Sequence, residues 1–529
     1  MSEIELQWEP RPQQVDVTEV FEKVVNNNTK FFFADMAVGT GKSYAIMMMA
    51  RKFQEMLDDD DIKFDVVTNT KLLQDQYLRD FNQMRSVKGV DNYYCSQHRC
   101  NCSEGMELNR AKGVKCLPCN YKTARKQYLD SDIGVLNFHL FISYWEYSTD
   151  MMESRGAKIL FIDEAHGFEE TYGNFINAFI SKKYLAELDI WNPEWEEIMV
   201  KMRTVKHFAT FIRDYIQVEI SAKIEEMENM VKSEGFSDLE KVKILKEYKH
   251  LKRTNCKYER LLNDEKNWST NWVIQINKET ANWEWTVEAV WASQYLEELW
   301  AQYDHVVFLS GTILDKKFFT KLMGCDPNNS EYLLINSPFP VANRMIVYLG
   351  IDKLSYKRKR KAFENMIPEI ENILERHKNE KGIIHTTNYE IARWIEKDVE
   401  DEEGRMLTHT SYTKKAVLDK HHSTEKPTVL VSPSMINGVD LKDELSRFQI
   451  IVKVPYPNLS SLKVKERMKT NKKWYSWKTL CDIMQSYGRS TRSETDWSVT
   501  YILDENFENL IDRIELPEYI GDAILWKSE

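Results

Sequence analysis

The 529-residue sequence contains no run of about 18 apolar residues, so no segment is expected to span a membrane. Its start, Met1-Ser2-Glu3-Ile4-Glu5, has neither the basic residues nor the apolar stretch of a signal peptide. The expected location is the cytoplasm, or the nucleus in a host that has one. There is no internal repeat and no long low-complexity linker, which argues against solenoids and loosely tethered modules. Positive charge is in deficit: 72 Lys and Arg against 83 Asp and Glu leave a net charge of −11. That balance speaks against a uniformly basic nucleic-acid binder, although a groove needs only local basic residues. Two such tracts exist, Lys357–Lys361 and Lys463–Lys473, each read most simply as a solvated helix face.

The length suits three or four domains. Short apolar runs at Phe31–Ala34, Asp65–Thr68, Ile133–Leu136, Ile159–Ile162 and His305–Leu309 alternate with helical stretches, which predicts a parallel α/β sheet. A second series predicts another: Met345–Leu349, Gly382–His385, Thr428–Val431, Gln449–Val454 and Ser498–Leu503. From Phe168 to Asn267 the composition turns to Glu, Lys, Met and Trp with few glycines, and reads as long amphipathic helices.

Met36-Ala37-Val38-Gly39-Thr40-Gly41-Lys42-Ser43 lies between a predicted strand and a helix, the context of a phosphate-binding loop. Glycines let backbone N–H groups close on phosphate oxygens at a helix N-terminus. Lys42 is expected on the β- and γ-phosphates of ATP, and the Ser43 hydroxyl on Mg²⁺. Met stands where the strict pattern has Gly. Asp163-Glu164-Ala165-His166 ends an apolar strand, placing carboxylates at the strand's C-terminal edge. Asp163 is expected to hold Mg²⁺ and Glu164 to activate the attacking water. Gln485–Arg492 carries Arg489 and Arg492 three apart, which as a helix would put them on one face, and across a domain cleft one of them could act as an arginine finger. Five of the eight cysteines, Cys95, Cys100, Cys102, Cys116 and Cys119, fall within 25 residues, which points to a metal centre. Four thiolates suit a [4Fe–4S] cluster. The Cys-x₂-Cys spacing at 116–119 also suits a structural Zn²⁺, with His98 as a possible fourth ligand.

These motifs, in this order, resemble the superfamily 2 DEAH-type helicases of the XPD/DinG iron–sulfur branch, which accepts Met at the first loop position. Arg11-Pro12-Gln13-Gln14 resembles the glutamine motif, implying an adenine contact at Gln14 and a nucleotide contact at Arg11. Thr68-Asn69-Thr70 with Gln74 resembles motif Ia, a nucleic-acid backbone contact. Ser310-Gly311-Thr312 resembles motif III, Ser434–Asp440 motif V with Gly438 and Asp440 at its core, and Gln485–Arg492 motif VI. Ser337-Pro338-Phe339-Pro340 is typical of the branch. Cys102-Ser103-Glu104-Gly105 resembles the second cluster ligand better than Cys100 does, giving Cys95, Cys102, Cys116 and Cys119, with Cys100 as the alternative.

The resemblance implies an α/β fold of two RecA-like parallel-sheet motor domains with two insertions in the first. The expected boundaries are 1–85, 121–167 and 291–324 for motor domain 1, 86–120 for the iron–sulfur insertion, 168–290 for a helical arch and 325–529 for motor domain 2. The implied activity is ATP-dependent movement on single-stranded DNA, 5′→3′, with separation of forked or tailed duplexes, by a monomer. Alternatives are a translocase or remodeller without unwinding, an RNA-directed helicase, and a nucleotide-gated scaffold. Intact Glu164, Arg489 and Arg492 argue against the scaffold.

Overall fold

The computed structural model describes the chain apart from residues 1–3, 5, 7, 58–60, 234, 279–282, 356, 402–403, 434–440, 442, 489, 492–494 and 527–529. In chain order the strands are β1 Phe31–Met36, β2 Phe64–Thr68, β3 Arg85–Ser86, β4 Tyr94–Cys95, β5 Cys100–Asn101, β6 Ile133–Asn137, β7 Ile159–Asp163, β8 Ala178–Ser181, β9 Trp272–Asn277, β10 Glu284–Ala289, β11 His305–Ser310 and β12 Ser330–Ile335. They continue with β13 Ile346–Asp352, β14 Gly382–His385, β15 Met406–Thr408, β16 Val429–Ser432, β17 Phe448–Ile451, β18 Val499–Asp504 and β19 Ile524–Trp526.

Two seven-stranded sheets organise the molecule, in the orders β12-β1-β11-β7-β2-β6-β3 and β15-β16-β14-β17-β18-β13-β19. Every pairing in both is parallel. The central strands β1, β2, β6, β7 and β11 are buried along their whole length, as their unbroken apolar runs require of a sheet covered on both faces. These are two RecA-like lobes. Strand β12 pairs with β1, so lobe 1 extends at least to Ile335 and the expected boundary at 324 is too early.

The region 168–290 is not wholly helical. Long helices Gln217–Lys232 and Asp238–Asn263 are present. They accompany an antiparallel sheet, β8-β10-β9. Trp272 and Ile274 on β9, and Trp285, Val287 and Ala289 on β10, alternate with more exposed residues to build its buried face.

The helix Lys472–Tyr487 belongs to both lobes. Its Trp474, Trp477 and Cys481 sit in the core of lobe 1, and its Leu480, Ile483 and Met484 in a core of lobe 2. The preceding helix, Leu462–Thr470, places Arg467 against lobe 1. Its guanidinium donates to both oxygens of Glu169 at 2.8 and 3.0 Å and to Val290 O at 2.6 Å, with Cζ 4.8 and 5.2 Å from the ring centres of Trp291 and Trp474. Lys463 and Arg467 are buried, so part of the second basic tract is interlobe packing rather than a solvated face. The first tract is paired at the surface, Lys359 with Glu390 and Arg360 with Asp398 and Glu364.

Candidate nucleotide and thiol sites

The loop after β1 turns through Gly39 and Gly41, at φ +86° and +83°, which a side-chain-bearing residue rarely adopts. The helix Lys42–Leu57 then starts, with Ala45 N–H on Gly41 O. Thr40 is buried, its hydroxyl donating to Ala37 O at 2.7 Å. Arg11 donates to Gly39 O at 3.0 Å. Gln14 is buried against the same loop: its Nε2 approaches Thr40 O and Gly41 O at 3.4 and 3.5 Å, and its Oε1 accepts the Arg11 N–H. In this arrangement the Gln14 amide reads the loop rather than standing open to a base.

Asp163 ends β7 with Glu164 beside it. Glu164 has φ +54° and ψ +45°, a left-handed conformation that costs a non-glycine residue energy and clusters at functional sites. Its carboxylate is 3.8 Å from Lys42 Nζ, 3.5 Å from His166 Nδ1 and 3.4 Å from Gln485 Nε2. Residues from the phosphate loop, the strand edge and the second lobe thus meet at one carboxylate. Asp163 accepts from Tyr77 OH at 2.9 Å. Burial, and next the Glu164 charge, push its carboxyl up to about 6, against the pull of Lys42. His166 pairs with Ser310 Oγ at 3.0 Å, and Ser310 with Thr312 at 3.0 Å, tying this edge to motif III. Ser43 is half-buried at the start of the helix. Arg489, Arg492, Gly438 and Asp440 lie outside the described residues.

Two contributors escaped the sequence reading. Asp35, at the end of β1, accepts from Leu314 N–H at 2.8 Å and Tyr332 OH at 3.1 Å. Burial raises its carboxyl to about 6. Its position directly before the loop was the available signal. Tyr77 gave none, because only the fold brings it to Asp163.

Of the motif Ia residues, Gln74 is fully buried and bonded to Ser86 Oγ, Val87 O, Val135 O and the Asn137 amide, which removes it as a strand contact. Thr68 is likewise buried at the end of β2. Thr70 caps the next helix, accepting from Leu73 N–H at 3.2 Å, and Asn69 is half-buried beside it.

Cys95, Cys102, Cys116 and Cys119 line one cavity of about 160 Å³, together with Gly105, Asn109 and Tyr121. Burial and the neighbouring Cys119, Cys95 and Cys116 thiols push Cys102 up to about 12. Cys100 does not line the cavity, and His98 is engaged with Asn109 Oδ1 at 3.0 Å. A Cβ on Gly105 would come within 2.4 Å of Cys95 Sγ, so glycine is what admits that thiol. Among the described residues no group of three or more His, Cys, Asp or Glu side chains is gathered as the ligands of one metal ion. The donor set, four thiols lining one cavity, has the chemistry of a metal–thiolate centre. Strands β4 and β5 pair as an antiparallel hairpin, and the helix Cys102–Ala111 that follows it leans on the long helix Asp238–Asn263 through Lys246–Glu104 at 2.6 Å and Lys249–Glu107.

Two family descriptions match the chain: Type III restriction enzyme, res subunit, over residues 7–226, and helicase C-terminal domain, over 370–520. The chain is 32% identical over 110 residues to the ATP-dependent DNA helicase chl-1 of Caenorhabditis elegans, covering 19% of this chain and 13% of that protein. It is 24% identical over 261 residues to a probable ATP-dependent helicase of Methanocaldococcus jannaschii, covering 43% of this chain and 38% of the relative. The matches therefore span well under two thirds of these relatives. An XPD helicase structure shares the fold with a TM-score of 0.65 at 14% identity, covering 98% of this chain and 100% of that one. Xpd4 of S. tokodaii does so with a TM-score of 0.58 at 14% identity, covering 98% and 100%. Two RecA-like lobes, with a phosphate loop facing a DEAH strand edge, are the fold shared with these XPD structures, and residues 370–520 of the second lobe match a helicase C-terminal domain. In these matches the chain is similar to helicases of the XPD/DinG type.

Proposed function

We propose that the protein is an ATP-hydrolysing helicase that moves along single-stranded DNA, 5′→3′, and separates tailed or forked duplexes as a monomer. The observation that carries this reading is the convergence of Lys42, His166 and Gln485 on Glu164 across two lobes. In the proposed cycle, the amides of Gly39, Thr40 and Gly41 cradle the phosphates with Lys42, and Arg11 and Gln14 brace the loop. Ser43 and Asp163 hold Mg²⁺, which would offset charge on the transferred phosphoryl group. Glu164 takes the proton of the attacking water, and Gln485 orients it. Arg489 and Arg492 are assigned to the phosphoryl oxygens, and Gly438 and Asp440 to ATP binding. Asn69 and Thr70 remain the motif Ia candidates for the strand.

Residues 86–120 are assigned to an iron–sulfur unit held by Cys95, Cys102, Cys116 and Cys119. Residues 168–290 are assigned to an arch of helices and a small sheet. The cluster would supply a rigid cross-link among segments too short to build a core of their own. Zn²⁺ is the competing occupant.

Anaerobically purified protein should contain iron and unwind a 5′-tailed duplex with ATP in preference to a 3′-tailed one. ATP-driven motion on single strands without unwinding on either tail would leave a translocase. Iron-free protein with stoichiometric zinc would overturn the cluster.

A further inference from the structure

The segment Ser337-Pro338-Phe339-Pro340 has no role in the chemistry just described, yet it touches both halves of the site. It lies in the passage between β12 of lobe 1 and β13 of lobe 2. The Phe339 ring rests on the phosphate loop: a Cβ on Gly39 would come within 2.3 Å of ring carbons Cε2 and Cζ. Phe339 is buried, and its N–H donates to Ser337 Oγ at 3.3 Å. Five residues on, Arg344 donates Nε to Phe339 O at 2.9 Å and a further N–H to Tyr519 O. The Arg344 carbonyl in turn accepts at 2.9 Å from the hydroxyl of Tyr487, a motif VI residue that ends the helix Lys472–Tyr487. Asn343 O accepts from Thr491 Oγ1 at 3.2 Å within motif VI. Gly488 lies so close to Val38 of the loop that a Cβ there would approach Val38 Cγ2 to 2.5 Å. The space left between loop, ring and motif VI is only about 20 Å³.

We infer that Phe339 is a positioning residue that couples the geometry of the phosphate loop to motif VI. This rests on the ATPase reading above. The ring has no polar atom to offer a nucleotide, so its effect passes through backbone. Close-packed interiors transmit a displacement rather than absorb it. A shift of the loop at Gly39 moves the ring, the ring moves the carbonyl held by Arg344, and Arg344 is fastened to Tyr487 and Tyr519. Gly39 admits the ring against the loop, and Gly488 admits Val38 of the loop against the helix end.

The test is ATP turnover and fluorescent-ATP binding in Phe339→Ala and Phe339→Leu, each with and without single-stranded DNA. In Phe339→Ala, nucleotide affinity should stay within about twofold while strand-stimulated turnover falls by about tenfold or more, since small misplacements of catalytic groups carry such costs. Phe339→Leu, which keeps apolar bulk, should recover part of the loss. If Phe339→Ala does not fold, reduced turnover at unchanged affinity in Phe339→Leu carries the same meaning. Unchanged turnover in both variants would overturn the coupling. So would a loss of affinity that accounts for the whole effect with the stimulation ratio intact, which would make Phe339 simple packing. Wild-type protein without strand-stimulated turnover would instead overturn the motor reading, and the coupling with it.

Discussion

Glu164 holds a backbone conformation that a glutamate does not choose, between a buried aspartate and a 3₁₀ turn. Strain of this kind persists only where surrounding contacts over-determine it. Here Lys42, His166 and Gln485 do so. Asp35 supplies a second residue-scale consequence. Its carboxyl is raised from about 3.8 to about 6 by burial. The folded state therefore holds a proton on Asp35 that the unfolded chain has released between those pH values. Stability from this group is greatest at low pH and declines as pH rises through about 6, by up to roughly 3 kcal/mol. Asp35→Asn removes the titration while keeping an acceptor for one of the backbone N–H groups. The stability difference between Asp35→Asn and wild type, followed by urea unfolding from pH 4.5 to 8, should shift in favour of the variant as pH rises. A difference independent of pH would contradict the assignment.

Among the elements, the helices Leu462–Thr470 and Lys472–Tyr487 carry the interlobe contact. Arg467 and Glu169 are both almost inaccessible. Removing one partner leaves a buried charge unpaired, a loss of roughly 3–5 kcal/mol, whereas replacing both by apolar residues of similar size is often near neutral. Arg467→Met should therefore destabilise strongly, and Arg467→Met with Glu169→Leu should recover most of the loss in urea unfolding. Additive losses would show that the ion pair is not the unit that matters. The central strands were legible in the sequence because both faces are buried and the apolar runs are unbroken. β12 was not: an edge strand reading Ser330-Glu331-Tyr332-Leu333-Leu334-Ile335 leaves most of its residues partly exposed. The alternation in β9 and β10 was present but short, and was outweighed by the helix-forming residues around it. Lys463 and Arg467 looked like a solvated face because no local pattern announces that a cation will meet Glu169 in another lobe. Gln74 followed its motif in sequence, while the fold turned it inward onto the Val135 carbonyl and the Asn137 amide of β6.

At the scale of the whole molecule, the chemistry is divided between lobes. The phosphate loop and the DEAH edge belong to lobe 1, and Gln485 reaches Glu164 from a helix rooted in both. The helix Cys102–Ala111 of the thiol region and the long helix Asp238–Asn263 are joined by two ion pairs. No helix among the described residues is long and apolar enough to cross a membrane. The most direct measurement of the central claim is steady-state ATP hydrolysis by wild type and Glu164→Gln, with and without single-stranded DNA, alongside nucleotide binding. Wild-type turnover should rise with the strand. Glu164→Gln should bind nucleotide and lose turnover by about 10²–10⁴-fold, the usual worth of a positioned general base. Equal turnover in the two proteins would contradict the account.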